Sequence, residues 1–252
     1  MHIKPGVERH IKISKGIMPR YCMVPGSPER AALIAERFDN CKEVIRSREY
    51  LGFIGEIDGI PMAVCSTGMG GASTSILVEE LANVGVDCFI RIGSAGARQI
   101  HIAPGSVVIF TAVHREDGTS LAYLPAGYPA VADLQVVNAL IEAGREVREE
   151  IFYGIGSSRD AFYVKDEQLV ALLTERGHIV AAEQEASTLF IVASTRQVRS
   201  GCVVATDSNI LRERLEPEKL NPLFAKAQSD AITTAIKAIQ KIAKDDKVYY
   251  IP

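Results

Sequence analysis

Short apolar runs alternate with helix-like segments along this chain, and that alternation restricts its fold more than any other feature. The runs at 21–25 (YCMVP), 87–93 (DCFIRIG) and 201–206 (GCVVAT) are mostly apolar, as is typical of strands covered on both faces. The segment 72–85 lies between two such runs, has helical periodicity and ends at a glycine, a common helix stop. Alternating strands and helices predict one α/β domain over residues 1–252, with a central, largely parallel or mixed β-sheet flanked by helices.

Further elements follow the same alternation. Strands are predicted at 61–67, 106–113 and 151–156, and helices at 29–38, 133–147, 166–176, 184–195 and 222–243. Asp58-Gly59 is a favoured dipeptide for a tight hairpin turn. An antiparallel pair of strands is therefore expected beside the parallel ones.

Charge, hydropathy and cysteine usage argue against several classes of protein. The 252 residues include 28 basic and 31 acidic ones, a net charge of −3, so the excess of Lys and Arg typical of nucleic-acid binding is missing. No apolar run approaches the roughly 20 residues of a membrane span, and the N-terminal stretch lacks the apolar core of a signal peptide. The five cysteines form no C-x-x-C pair, and most lie in apolar runs. This usage favours a cytoplasmic protein without disulfides or a metal site.

Three glycine-rich turns follow predicted strands: VPGSPER, STGMGGAST and RIGSAGA. The first contains Gly26, which permits unusual backbone dihedrals, and puts Arg30 in the first turn of a helix. The third puts Ser94 on a turn after Arg91, an arginine inside an apolar strand. Helix N-termini and arginines bind anions, and a buried Arg seldom lacks an anionic partner. Each turn alone is more often only a turn, but three at the carboxyl ends of strands predict one oxyanion site, preferably for phosphate.

The stretch VVATDSN (203–209) raises a separate question, because its apolar run is followed directly by a carboxylate, Asp207. Asp and Asn at strand ends commonly form turns or caps through bonds to nearby backbone. Asp207 can instead act as an acid, but only if burial or nearby negative charge raises its pKa. Both interpretations, cap and catalytic acid, remain open at this point.

Several ordered motifs between about His10 and Lys241 resemble the nucleoside phosphorylase-I family, which contains the purine nucleoside and uridine phosphorylases. The motifs are PGSPER, SREYLGF, STGMGGASTSILVEEL, FIRIGSAGA, REDGTS with YPAVAD, SSRDAFY and EQEASTLF. The resemblance implies a single domain with a central mixed sheet. It also implies a homo-oligomer, a hexamer built from dimers, whose substrates are a nucleoside and inorganic phosphate and which needs no cofactor.

The resemblance also implies a phosphate site. In this family the first turn binds phosphate through residues that match Gly26 and Arg30, and the third turn through residues that match Arg91 and Ser94. Arg48 in SREY matches an arginine that the adjacent subunit contributes. Three arginines offer the forked donors that suit a phosphate dianion.

The same resemblance implies the nucleoside contacts. His10 matches a histidine that reaches across the subunit interface to the ribose 5′-hydroxyl. Glu185 matches the second glutamate of a Glu-Met-Glu segment that holds the ribose, and Gln184 stands where the family has Met. Phe162 matches an aromatic residue that covers the base. Without the resemblance, the simpler interpretation of His10 is an exposed N-terminal residue, and that of Phe162 and Tyr163 is a pair of core residues.

Two further features concern the first two turns. Ser27 replaces the Asp of the family's P-G-D-P turn, which removes a carboxylate near the phosphate. Glu49 and Ser73 match positions that bind a monovalent cation at a dimer interface in some uridine phosphorylases. Without the resemblance, Arg48 with Glu49 is more simply a surface ion pair of small energetic value.

The implied reaction is reversible phosphorolysis, in which a nucleoside and phosphate give a free base and a pentose 1-phosphate. In purine-specific members an Asp after the last strand is the proposed acid for purine N7, and Asp207 matches it. Uridine-specific members instead carry a Gln and an Arg after the Phe-Tyr pair, and AFYVKDEQL lacks that pattern apart from Gln168. We therefore favour a purine nucleoside, with uridine as the alternative. A hydrolytic nucleosidase and a non-catalytic nucleoside-binding protein are further alternatives on the same fold.

Overall fold

A computed structural model describes residues 6–164 and 166–249 of the chain. The strands are β1 (Tyr21–Pro25), β2 (Asp39–Ser47), β3 (Tyr50–Ile57), β4 (Ile60–Cys65), β5 (Cys88–Ala97), β6 (Val107–Glu116), β7 (Ala130–Val131), β8 (Phe152–Arg159), β9 (Ala181–Glu183) and β10 (Arg199–Asn209). The helices are α1 (Pro28–Ala35), α2 (Gly71–Asn83), α3 (Gly118–Tyr123), α4 (Leu134–Val147), α5 (Glu167–Glu175), α6 (Ala186–Arg196) and α7 (Pro217–Tyr249).

The strands form one mixed sheet with β5 at its centre. β5 pairs in parallel with β1 and β10, and its carboxyl end also pairs antiparallel with β9. β10 continues antiparallel to β6, and β6, β8 and β9 are parallel, so these strands close a ring with β5. On the other side of β1, β4, β3 and β2 extend the sheet. The prediction of an α/β fold with a central mixed sheet is confirmed.

Helices cover both faces of the sheet, which explains the continuous apolar runs. One buried cluster contains Leu77 of α2 and Phe190 of α6. The other contains Ile34 of α1, Leu140 of α4 and Ile239 of α7. Because β1 and β5 lie between these layers, almost every residue of the two strands is buried.

Several strands and helices were not predicted, or begin at other residues than predicted. β2 was not predicted because its first five residues are exposed and mostly polar, with no apolar run to indicate a strand. β7, β9 and α3 are short and were also missed. α7 begins at Pro217 rather than at 222, with Pro222 inside the helix, where it removes a single backbone hydrogen bond. The predicted hairpin turn is confirmed, since Asp58 and Gly59 both have positive φ, 52° and 71°.

Two global features can be checked on the described part of the chain. None of its helices combines the length and the hydropathy needed to cross a lipid bilayer. The cysteines are all free, and each is buried except Cys41. Burial raises the pKa of the buried thiols Cys22 and Cys88, so they behave as core residues.

Candidate active site

The carboxyl ends of β1, β4, β5 and β10 meet at one edge of the sheet. The turns after β1 and β4 touch there, since a Cβ on Gly26 would lie 3.7 Å from the carbonyl oxygen of Gly68. Gly68 and Gly70 have positive φ values of 73° and 83°, conformations that favour glycine. Gly26 does not use the positive φ that glycine permits.

Ser27 is the N-cap of α1, and this role sets the position of Arg30. Its Oγ accepts a hydrogen bond of 3.2 Å from the backbone N–H of Arg30, as an Asp at this position also could. The Arg30 side chain then reaches β5, where its Nη1 donates to the carbonyl oxygen of Ile92 at 3.2 Å. Its Nε is buried and has no partner within the described ranges.

Arg91 is the centre of a buried charge cluster on β5. It is only 3% exposed, and its Nε donates to Glu183 Oε2 at 2.8 Å while its Nη2 donates to Glu185 Oε2. Burial lowers the pKa of Arg91, but Glu185 and Glu183 outweigh burial and the net effect is a raised pKa. Its Nη1 is buried without a partner among residues 6–164 and 166–249. Burial and the charge of Arg91 lower the pKa of Arg30, and the charges of Glu185 and Asp207 oppose that lowering in part.

Glu183, the first residue of the Glu-Gln-Glu segment, was not predicted to be the partner of Arg91, although it is bonded more densely than any predicted site residue. It accepts from Arg91, from the backbone N–H groups of Glu185 at 2.7 Å and Ala186 at 3.0 Å, and from Ser158 Oγ. Burial raises the pKa of Glu183 and Arg91 opposes that rise. A carboxylate directly after the apolar run at 179–182 was the available signal, since a buried Arg in a neighbouring strand requires such a partner.

Glu185 joins two of the predicted turns. Its Oε1 accepts from the backbone N–H of Gly70 at 2.6 Å, and its Oε2 accepts from Arg91. The structure therefore brings Gly26, Arg30, Arg91 and Glu185 to one edge, as the sequence predicted.

Ser94 is at the same edge but not on a turn. β5 continues to Ala97 because it stays paired with β10, where Ser94 lies opposite Ala205. The prediction of a turn at Ser94 was wrong for this reason: a run rich in Gly and Ala was taken as a loop although parallel pairing extends through it.

Asp207 occupies a β-bulge in β10. Thr206 pairs with Ala95 and Ser208 with Gly96, which leaves Asp207 as the extra residue; bulges of this kind re-aim a side chain. Burial raises the pKa of Asp207, and a 2.7 Å hydrogen bond from Ser208 Oγ and the charge of Arg30 oppose the rise in part. Asp207 does not cap a helix, because the next helix begins only at Pro217.

His10 and Arg48 do not join the Arg91 cluster of their own chain. His10 Nδ1 lies 2.6 Å from Glu80 Oε1, and the backbone N–H groups of His10 and Ile11 also donate to the Glu80 carboxylate. Arg48 is exposed on the turn between β2 and β3, with φ of 55°. Within the described segments it makes no ion pair with Glu49, so the surface-pair alternative is wrong.

Glu49 and Ser73 both lie beside Gly68, which is in the loop that precedes α2. A Cβ on Gly68 would come within 2.7 Å of Glu49 Cγ and 3.1 Å of Ser73 Oγ. Ser73 Oγ donates to the carbonyl oxygen of Met69 at 3.1 Å. The two residues predicted to share a cation are thus neighbours.

The predicted base-covering segment is exposed rather than core. Phe162 is 61% and Tyr163 93% exposed, and their rings make an edge contact with centroids 5.1 Å apart. Gln184 Nε2 donates to the carbonyl oxygen of Asp160 at 2.9 Å, which fastens this segment to the Glu183–Glu185 stretch. Lys165 in the same segment lies outside the described residues.

Comparison with known proteins gives a consistent result. The model of the phosphorylase superfamily matches residues 20–244. The uridine phosphorylase of Thermococcus kodakarensis is 37% identical over 256 residues, which cover 96% of this chain and 89% of that protein. The guanosine phosphorylase of Halorubrum lacusprofundi is 35% identical over 202 residues, covering 80% and 83% of the two chains.

A solved structure shares the fold as well. The crystal structure of uridine phosphorylase from Vibrio fischeri, in complex with 6-hydroxy-1-naphthoic acid, superposes with a TM-score of 0.88 at 30% sequence identity. The match covers 94% of this chain and 97% of the other. The ordered motifs, the mixed sheet and these relatives together show that the chain belongs to the nucleoside phosphorylase-I family of the phosphorylase superfamily.

Proposed function

We propose that this protein is a nucleoside phosphorylase, a pentosyltransferase that uses inorganic phosphate. The observation that carries the proposal is the pair of buried N–H groups, Arg30 Nε and Arg91 Nη1, that lack hydrogen-bond partners within the described residues. Buried polar groups are rarely left unsatisfied, and two guanidinium groups at the same edge of the sheet suit an oxyanion with several acceptor oxygens. A hydrolytic nucleosidase, which uses water, has no need for such a pair.

The proposed chemistry relies on positioning and charge. A phosphate oxygen forms a bond to C1′ of the sugar while the bond from C1′ to the base nitrogen breaks, and that electron pair leaves with the base. The phosphate dianion held by Arg30 and Arg91 stabilises the cationic sugar of the transition state. Glu185 can accept from ribose hydroxyls, because a carboxylate has about four lone-pair sites and only two are bonded to Gly70 and Arg91.

The relatives favour uridine as the nucleoside, over the purine preference that the sequence motifs suggested. Several of the similar proteins, from archaea and bacteria, are uridine phosphorylases. A second candidate is a 6-oxopurine nucleoside, guanosine or inosine. It is supported by the burial and raised pKa of Asp207, which suit an acid for a purine leaving group, and by the similarity to a guanosine phosphorylase.

A homo-oligomer completes the proposed site, with a hexamer built from dimers as the expected form. Arg48 and His10 point this way, because neither bonds to the Arg91 cluster of its own chain, and Arg48 is exposed on a turn. We propose that they serve a neighbouring subunit. Phosphate is a co-substrate and no cofactor is needed, while a monovalent cation at Glu49 and Ser73 stays a prediction.

The test is base release from uridine, guanosine, inosine and adenosine, each with and without phosphate. Release that requires phosphate is expected, fastest for uridine under the first candidate and for guanosine or inosine under the second. The variant Arg30→Met is expected to raise the KM for phosphate about 10- to 100-fold, the effect of one lost charged hydrogen bond. Arg145→Met, at an exposed arginine, is the matched control.

Two outcomes would overturn the proposal. Equal release with and without phosphate would make the protein a nucleosidase. Binding of nucleosides without turnover at high protein concentration would make it a non-catalytic binding protein.

A further inference from the structure

Gln184 makes a contact that the proposed chemistry does not use. β8 and β9 are parallel, with Ser158 paired to Glu183, so Gln184 lies beside the end of β8. Its Nε2 donates to the carbonyl oxygen of Asp160 at 2.9 Å and, at the longer distance of 3.4 Å, to that of Arg159. The Met that the family has at this position carries no N–H group and cannot make either bond. The contact therefore depends on the glutamine.

Asp160 is held from a second side as well. Its Oδ2 accepts from the backbone N–H of Gly118 at 2.8 Å. Gly118 is the first residue of α3, whose N-cap Asp117 accepts from the hydroxyls of Ser187 and Thr188 at the start of α6. Asp160 is thus bonded twice to the region where β9 leads into α6.

The segment 161–164, which follows Asp160, is held far less firmly. All four residues are exposed, including the rings of Phe162 and Tyr163. None of them makes a hydrogen bond to another residue of the described ranges. The next described residue, Asp166, is fixed as the N-cap of α5. Two exposed aromatic rings on a segment that is held at its ends can move and close over a ligand.

The position of Asp160 brings this segment close to the sugar side of the candidate site. Phe162 is two residues from Asp160, so their Cα atoms are at most about 7 Å apart. Gln184 directly precedes Glu185, whose carboxylate has lone pairs left for ribose hydroxyls. An aromatic ring stacks well on a flat base. The Gln184 side chain therefore connects the residue suited to the sugar with the ring suited to the base.

We propose that Gln184 is a positioning residue of the nucleoside site, because its hydrogen bond to Asp160 sets where the Phe162 ring closes over the base. The inference rests on the proposed function, since it takes a nucleoside as the substrate. With Met in place of Gln184, Asp160 is held by one bond instead of two. The ring then occupies more positions before the base arrives, and the base binds less tightly. Phosphate binding by Arg30 and Arg91 does not involve this bond.

Steady-state kinetics of Gln184→Met separate positioning from a purely structural role. The KM for the nucleoside is expected to rise about 3- to 10-fold, the effect of one neutral hydrogen bond. The kcat and the KM for phosphate are expected to change by less than about twofold. Gln240→Met is the matched control, because it removes a 2.7 Å hydrogen bond to Asp58 on the hairpin between β3 and β4. An unchanged KM for the nucleoside in Gln184→Met, or an equal rise in Gln240→Met, would refute the positioning role.

A fluorescent probe tests the same bond without turnover. The chain has no tryptophan, so Phe162→Trp gives a single reporter in the exposed segment. In the nucleoside-free protein, time-resolved anisotropy is expected to show faster nanosecond depolarisation when Gln184→Met is added to this variant. Adding Gln240→Met instead is expected to leave the depolarisation unchanged. Equal depolarisation in all three proteins would show that Gln184 does not hold the segment.

The two measurements distinguish failure of this inference from failure of the proposed function. A protein that cleaves nucleosides with phosphate, but in which Gln184→Met alters neither the nucleoside KM nor the depolarisation, keeps the proposed function and loses the inference. A protein that cleaves no nucleoside loses both, because no base then binds for Phe162 to cover.

Discussion

Replacement of Glu183 by Gln tests the charge cluster that holds Arg91 in place. The carboxylate accepts from Arg91 Nε at 2.8 Å, from the N–H groups of Glu185 at 2.7 Å and Ala186 at 3.0 Å, and from Ser158 Oγ. All of these neighbours are donors. A glutamine keeps one acceptor oxygen but turns an NH₂ group toward at least one of them, and it removes the negative charge.

The magnitude follows from these contacts. Breaking a buried ion pair completely costs about 3–5 kcal/mol, but Arg91 keeps Glu185 as a partner. The remaining loss is one or two charged hydrogen bonds, each of about 1.5–3 kcal/mol. We therefore expect Glu183→Gln to lower the free energy of unfolding by about 3 kcal/mol.

Urea unfolding at pH 7 and fixed protein concentration measures this change, with Glu149→Gln as the control. Glu149 is exposed, so its substitution is expected to change stability by no more than about 0.5 kcal/mol. A Glu183→Gln protein as stable as the control would refute the reasoning that the cluster stabilises the fold.

Phosphate binding by Glu183→Gln is expected to improve, although its stability decreases. With one carboxylate fewer, the positive charge of Arg91 is less compensated, so the KM for phosphate is expected to fall while stability falls. A higher KM for phosphate in a folded variant would contradict the electrostatic role assigned to Arg91.

Three further predictions concern residues around the sugar and the base. Asp207→Asn is expected to lower cleavage of guanosine or inosine by about 10²–10⁴-fold with little effect on uridine, and unchanged oxopurine turnover would remove Asp207 from the mechanism. In the wild type, oxopurine cleavage should fall as pH rises through the raised pKa of Asp207, since the acid must carry its proton; kcat against pH measures this. Glu80→Gln, which weakens the 2.6 Å contact to His10 Nδ1, is expected to reduce kcat/KM for uridine more than for 5′-deoxyuridine. Equal losses on both nucleosides would show that Glu80 has only a structural role.

Much of the fold was predictable because its signals are local. β1 and β10 are apolar runs bounded by polar residues, and the turn at Asp58-Gly59 follows from the dihedral angles that the two residues tolerate. β2 was not predictable, because its exposed polar residues form a strand only through pairing with β3. A polar stretch of this kind has no local sequence pattern that indicates which other segment it pairs with.

The site residues, too, were predictable where the signal is local and not where it depends on distant segments. Arg30 and Arg91 stood out because a cation beside or within an apolar strand needs a partner. The role of Glu183 as that partner was missed because Glu183 lies 92 residues from Arg91 in sequence. The bulge at Asp207 was equally hidden, since it exists only in the register between β10 and β5.

The place of β10 in the sheet has a consequence for the order in which the chain is made. β10 lies between β5 and β6, although both neighbours are synthesised about a hundred residues earlier. A nascent chain that ends before residue 199 therefore has an open edge along most of β5, at the centre of the future sheet. Unpaired strand edges of this kind promote association with other chains. The strand that carries Asp207 thus closes the sheet last, and the proposed site cannot exist on the ribosome before the fold is nearly complete.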